Sequence, residues 1–158
     1  MTNIKPLENI KKILVVCTGN ICRSPMGEGV LRYRLNQAGL SHIHVHSAGT
    51  SGWDNHKPTS EAIQACSEIG VDISSLRSTP ISKRIIQASD LIMAMEKYHI
   101  REMKKYFDAP SKKLFLLGNF HADTPGIEIK DPYGMPLSYY RSILKTICQC
   151  ADGLIDSQ

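Results

Sequence analysis

Short apolar runs alternate with helical patterns along almost the whole of this chain. Strand-like runs fall at about Lys12–Cys17, His42–Ser47, Asp90–Met95 and Lys113–Leu117. The first helical stretch places Val30, Leu31, Leu35 and Ala38 on one face and stops at Gly39. A second runs from about Thr59 to Ile69 and stops at Gly70. Glycine suits both ends because it enters the left-handed conformation that closes a helix. A short turn is expected near Ser82–Gln87, then helices near Lys97–Phe107 and Ser138–Leu154. No repeat or low-complexity linker interrupts the pattern, so residues 1–158 read as one domain. Strands alternating with helices predict an α/β fold, a parallel sheet wrapped by helices. Such sheets bind ligands beyond the carboxyl ends of their strands.

Composition narrows the class. With 42% apolar and 22% charged residues in 158, the chain has ordinary globular values and enough length for a real core. Its net charge of +4 comes from pairs scattered along the sequence, Lys11-Lys12, Lys104-Lys105 and Lys112-Lys113. Scattered pairs read as solvated surface, so no nucleic-acid partner is expected, although a mild positive bias draws in anions. The opening MTNIKPLENIKK has charges but no apolar core, which predicts no signal peptide. No apolar run approaches the ~20 residues of a membrane helix, so no membrane partner is expected. Five cysteines, an odd count without an export signal, suit a reducing cytoplasm. Cys148 and Cys150 lie in the last helical pattern and read as buried or bystander thiols.

Candidate chemistry concentrates in Val15–Pro25, VVCTGNICRSP. A strand runs into Cys17, a loop through Thr18, Gly19, Asn20, Ile21 and Cys22 leads to Arg23, and Ser24-Pro25 opens a helix. Ser24 is expected to cap that helix, with Pro25 at its first position, where a missing N–H costs nothing. Gly19 and Asn20 best tolerate the left-handed backbone of a loop that curls its amides inward. Backbone N–H groups, a helix N-terminus and a guanidinium would all favour negative charge at Cys17. Groups that stabilise a thiolate also bind a phosphate dianion, so nucleophile and substrate cradle coincide. Alone, a Cys-x5-Arg spacing is also compatible with a buried structural cysteine and a surface arginine.

VCTGNICRSP resembles the signature of the low-molecular-weight protein tyrosine phosphatases. The likeness continues through SAGTSGW at Ser47–Trp53, LIMAME at Leu91–Glu96 and Asp131-Pro132-Tyr133-Gly134, in the family's order over nearly the whole chain. The resemblance implies a doubly wound sheet of four parallel strands with the phosphate-binding loop after the first. It also implies roles: Cys17 as nucleophile, Arg23 as phosphate clamp, Ser24 as a hydrogen-bond partner of the thiolate, Asn20 and Ser47 as braces, and Asp131 as general acid. Trp53 and Tyr133 occupy the places of aromatic rings flanking a substrate phenyl group. Ile21 stands where arginine phosphatases of the family carry a small polar residue, so tyrosine is favoured. The implied partner is a tyrosine-phosphorylated protein or small aryl phosphate, with no cofactor or metal, handled by a monomer or weak dimer. Read alone, Asp131-Pro132-Tyr133-Gly134 would be a plain turn.

Other features are weaker or depart from the pattern. His42, His44 and His46 would share one strand face, where zinc is conceivable but a solvated face is favoured. Gly27-x-Gly29 lacks the third glycine of a dinucleotide loop, and close packing against the sheet would explain both glycines. Leu76, Thr79 and Glu96 stand where His, Arg and Asp are common in the family. Cys22 is either packing behind the cradle or a disulfide partner that shields Cys17 from oxidation. Arsenate reductase is the nearest enzyme alternative, but Cys66 has no close cysteine partner in sequence. The non-enzyme alternative is a phosphate-sensing or phosphotyrosine-binding module, which would be expected to have lost Cys17 or Asp131.

Overall fold

The molecule is organised around β1 (Lys12–Cys17), whose sequence KILVVC is buried on both faces from Ile13 onward. A computed structural model describes residues 4–158; residues 1–3, part of the stretch read for a leader, lie outside them. Apolar, β-branched residues without alternation are what a strand covered on both sides requires. β2 (His44–Gly49) and β3 (Leu91–Ala94) flank β1, and β4 (Leu114–Leu116) pairs with β3. The order is β2-β1-β3-β4, all parallel, the four-stranded doubly wound sheet expected.

Period-two alternation splits the core. Ile13, Val15 and Cys17 point to the side covered by α1 (Arg23–Gln37), α2 (Ser60–Glu68) and α5 (Leu137–Asp156). Leu14 and Val16 point to the side covered by α3 (Lys83–Ala88) and α4 (Lys97–Phe107). The helices thus cover both faces, and every loop after a strand emerges at one edge of the sheet.

Several boundaries differ from the pattern. β2 begins at His44, not His42, because Lys12 pairs with His44 and the ladder has no earlier β1 residue to offer. His42 therefore lies in the preceding turn, and the three histidines do not share a strand face. His46 is half-buried and in hydrogen-bond contact with Ser89 Oγ, while His44 is exposed. Ala38 is the exposed C-cap of α1 and not part of its buried face. The expected turn near Ser82–Gln87 is a helix over Lys83–Ala88, capped by Ser82 Oγ, which accepts from Ile85 N at 3.1 Å.

Packing explains Gly27 but corrects Gly29. A Cβ on Gly27 would stand 3.0 Å from Val15 Cγ1 of the sheet. One on Gly29 would meet Ile73 Cγ2 at 2.6 Å and Val71 Cγ1 at 2.8 Å, the segment after α2. That glycine admits the returning chain, not the sheet.

Candidate active site

The loop after β1 curls back over the carboxyl edge of the sheet, and one backbone contact forces its shape. Gly49 ends β2 opposite Cys17, and a Cβ there would lie 2.5 Å from Thr18 O and 3.0 Å from Asn20 N. Only glycine lets the loop pass. Asn20 takes the turn at φ 57°, as its type suggested. Thr50 N donates to Cys17 O at 2.9 Å and Ser51 N to Thr18 O at 3.0 Å, so the segment after β2 pins the loop from behind.

Within this frame Cys17 is buried, and its Sγ lies 3.0 Å from Ser24 Oγ. Asn20 Nδ2 donates to Ser24 Oγ at 2.6 Å and to Ser47 Oγ at 2.9 Å, while its Oδ1 accepts from Thr79 N at 2.8 Å. With its oxygen taking the amide bonds, Ser24 is free to point its hydroxyl hydrogen at the sulfur. The expectation for Ser24 as a helix cap is corrected here. α1 starts two residues earlier, at Arg23 with Cys22 as N-cap, and the Ser24 hydroxyl serves the sulfur. Pro25 still falls in the first turn, where its missing N–H leaves no bond unmade. Ser47 Oγ in turn donates to Glu28 Oε1 at 2.7 Å, and Arg32 pairs with the same carboxylate. Glu28 was not singled out from sequence; an acidic residue one helical turn after Ser24 reads there as surface charge.

Arg23 is among the most buried side chains, 1% exposed. Its Nη1 donates to Glu96 Oε2 at 2.7 Å and to Ile129 O at 2.9 Å. Nη2 reaches Thr18 Oγ1 at 3.4 Å and lies 3.8 Å from Asp131 Oδ2. Nε has no partner among the described residues. Burial opposes the charge, but Cys17, Glu96 and Asp131 outweigh it and raise the guanidinium pKa above its usual value. A buried N–H left orphaned is costly, so its presence beside the cavity marks a place for an oxyanion. Glu96, which departs from the family's common Asp, still makes the ion pair.

A cavity of about 280 Å³ opens above the sulfur, lined by Cys17, Thr18, Gly19, Ile21, Cys22, Arg23, Ser51, Trp53, Asp131 and Tyr133. Eight of the residues expected in the site therefore share one wall with the sulfur: Thr18, Gly19, Ile21, Cys22, Arg23, Trp53, Asp131 and Tyr133. Trp53 and Tyr133 are exposed at its mouth, and Asp131 stands on the rim, its Oδ1 accepting from Tyr133 N at 3.0 Å. Asn20, Ser24 and Ser47 lie behind the loop as its support. Among the described residues, no cysteine or arginine lines a larger hollow of about 790 Å³ between the N-terminal turn and the end of α5.

Burial pushes Cys66 and Cys150 up to about 12 and also raises Cys148. Burial likewise raises Cys22, whose Sγ lies 3.4 Å from the Tyr140 hydroxyl and 3.7 Å from Thr59 Oγ1. Among the described residues, no group of three or more His, Cys, Asp or Glu side chains could hold a metal ion.

Known proteins are similar to this chain over most of its length. A probable low molecular weight protein-tyrosine-phosphatase EpsP from Ralstonia nicotianae is 32% identical over 92% of this chain and 94% of its own. A protein-arginine-phosphatase from Bacillus subtilis is 31% identical over 82% of this chain and 84% of its own. The solved structure of Vibrio vulnificus Wzb in complex with benzylphosphonate superposes with a TM-score of 0.86 at 28% identity, covering 95% of this chain and all of that one (100%). The family model described as low molecular weight phosphotyrosine protein phosphatase matches residues 12–157, from the first residue of β1 to the turn after α5. The sheet, the loop after β1 and the distant Asp131 all fall inside that span, and the chain belongs to the low molecular weight phosphotyrosine protein phosphatase family.

Proposed function

We propose that this protein hydrolyses phosphotyrosine monoesters through a phosphocysteine intermediate. The Cys17 thiolate attacks phosphorus, a sulfur–phosphorus bond forms, and the bond to the aryl oxygen breaks. Asp131 gives its proton to the departing phenolate, whose conjugate acid has a pKa of ~10 and leaves poorly unaided. Asp131 then takes a proton from the water that attacks phospho-Cys17, releasing phosphate and restoring the thiolate. Arg23 and the loop amides hold the phosphoryl oxygens throughout.

The observation that carries this reading is the orphaned Nε of a buried Arg23 beside a cavity that Cys17 also lines. Ile21, Trp53 and Tyr133 make its upper walls apolar and aromatic, which suits a phenyl ring. A phosphorylated guanidinium would need polar partners there, and the relative that removes phosphate from arginine is therefore the second reading. Arsenate reduction is disfavoured because Cys66 is buried in α2 with its thiol held protonated. The substrate is a tyrosine-phosphorylated protein or a small aryl phosphate, met in the cytoplasm by a monomer or weak dimer. No helix among the described residues is long and apolar enough to cross a membrane, and all five cysteines are unpaired.

Hydrolysis of phosphotyrosine, phosphoserine and phosphoarginine peptides, with an arsenate control, tests the assignment. Phosphotyrosine should be preferred, and Cys17→Ser should abolish turnover while phosphate binding survives. Near-wild-type turnover by Cys17→Ser would sink the mechanism.

Cys22 adds a redox role to the same loop. Hydrogen peroxide oxidises the Cys17 thiolate to the sulfenic acid; the Cys22 sulfur then attacks it, a disulfide forms and water leaves. Cys22→Ser should keep most of its turnover but recover poorly with a dithiol after peroxide. Full recovery, with no Cys17–Cys22 link by mass spectrometry, leaves Cys22 as packing.

A further inference from the structure

Two of the groups that hold Arg23 are tied to a third residue, one that touches neither substrate nor sulfur. On one side Glu96 takes Nη1; on the other Thr18 Oγ1 meets Nη2 at 3.4 Å. His99, in the first turn of α4, lies between these grips and is wholly buried. Its Nδ1 accepts from Glu96 N at 3.1 Å and its Nε2 lies 2.9 Å from Thr18 Oγ1. An imidazole that accepts at Nδ1 in its neutral form carries its hydrogen on Nε2 and donates there. Thr18 Oγ1 then receives His99 and Arg23 on its two lone pairs and gives its own hydrogen to the Tyr98 hydroxyl, its remaining neighbour. The bonds of Glu96 N, His99 Nε2, Arg23 Nη2 and Thr18 Oγ1 are then mutually consistent, with no two donors facing each other.

We infer that His99 is a positioning residue whose imidazole spans Glu96 and Thr18, fixes both grips on the Arg23 guanidinium, and so sets the angle at which Nε–H meets phosphate. The inference rests on reading Arg23 as the phosphate clamp. Burial supports the neutral state, lowering the His99 pKa to about 4, with the nearby Arg23 charge adding to it. A protonated ring would aim a second donor at Glu96 N–H, which is itself a donor. Neither lysine nor arginine could replace it, because Glu96 N–H needs an acceptor on the same ring that donates to Thr18.

Two amides separate the ends of the ring. Asn at 99 is short enough for its carbonyl to take the Nδ1 place but cannot reach Thr18. Gln reaches the Nε2 place with an N–H but leaves Glu96 N without its acceptor. Inorganic phosphate binding to the full chain, measured by calorimetry, reads the clamp without needing turnover; melting temperature reads the fold. His99→Asn should weaken phosphate about tenfold, the scale of one hydrogen bond to a charged group. His99→Gln should bind phosphate within about threefold of wild type despite a lower melting temperature. In a Thr18→Val background, His99→Asn should weaken phosphate no further.

Three results overturn the inference. They are His99→Asn binding phosphate like wild type, the two amides losing affinity in step with their melting temperatures, and the losses from Thr18→Val and His99→Asn adding. If the wild type binds no phosphate, the clamp reading of Arg23 fails first and the inference falls with it. Phosphate binding without hydrolysis of any phosphopeptide would overturn the proposed reaction alone.

Discussion

Asp131 and Arg23 illustrate how burial divides labour among single residues. Arg23 is enclosed and fixed by four protein groups, whereas Asp131 stands half-exposed on the rim, 3.8 Å from the guanidinium. An exposed carboxyl keeps the freedom that the proposed general acid needs, to meet a leaving group and then a water. Proline after it holds the backbone extended, and the Tyr133 N–H steadies one oxygen, leaving Oδ2 toward the cavity. Asp131→Asn should therefore cost phosphotyrosine far more than an aryl phosphate whose phenol has a pKa near ~7, since that phenolate departs with little help. Equal losses on the two substrates would mean that Asp131 only shapes the turn.

At the scale of elements, the decisive contact is β2 against the loop after β1. Gly49→Ala would drive a methyl to 2.5 Å from Thr18 O, a backbone atom that cannot move without moving the cradle. Overpacking of this kind costs about 1–3 kcal/mol. Gly39→Ala offers the contrast: its φ of 77° penalises alanine, yet nothing lies within 4 Å of the added carbon. Both variants should melt earlier, but only Gly49→Ala should also lose phosphate affinity; equal affinities would show that the loop yields freely. The sheet itself was legible, because four apolar runs between helical patterns leave few other arrangements. Its details were less so. Which β2 residue pairs first depends on where β1 begins, and the single-turn helices at Leu7–Asn9, Ser111–Lys113 and Leu117–Phe120 are too short to show a period. That the loop from Cys17 to Arg23 lines one cavity could be read because its parts are adjacent in sequence. Thr18 and His99 are 81 positions apart, and nothing in either neighbourhood marks the pair.

For the molecule as a whole, acid is the condition that strains it. His99 binds its proton at about 4 when folded and near ~6.5 when unfolded, so between these values the unfolded chain holds more protons. Stability is then unaffected above pH ~7 and falls as pH drops from ~6.5 toward ~4, by up to about 3 kcal/mol from this residue. Burial and the Arg23 charge on α1 oppose its protonation, while Asp131 and Glu128 favour it. His46, lowered by burial, His44 and Lys12, pulls in the same direction as His99. Denaturant melts at stepped pH should show the gap between wild type and His99→Gln closing as pH falls from 7 to 4.5; a constant gap would mean that His99 does not carry the acid response. The site meanwhile has a second consequence for its history. Trp53 is 53% exposed and Tyr133 59%, whereas Arg23 and Ser24 beneath them are at 1% and 0%. Replacing a side chain that packs against so little usually shifts stability by less than about 0.5 kcal/mol. A lineage can therefore exchange the mouth of this cavity, and with it the preferred phosphoester, through single steps that leave folding untouched, while the floor tolerates almost none.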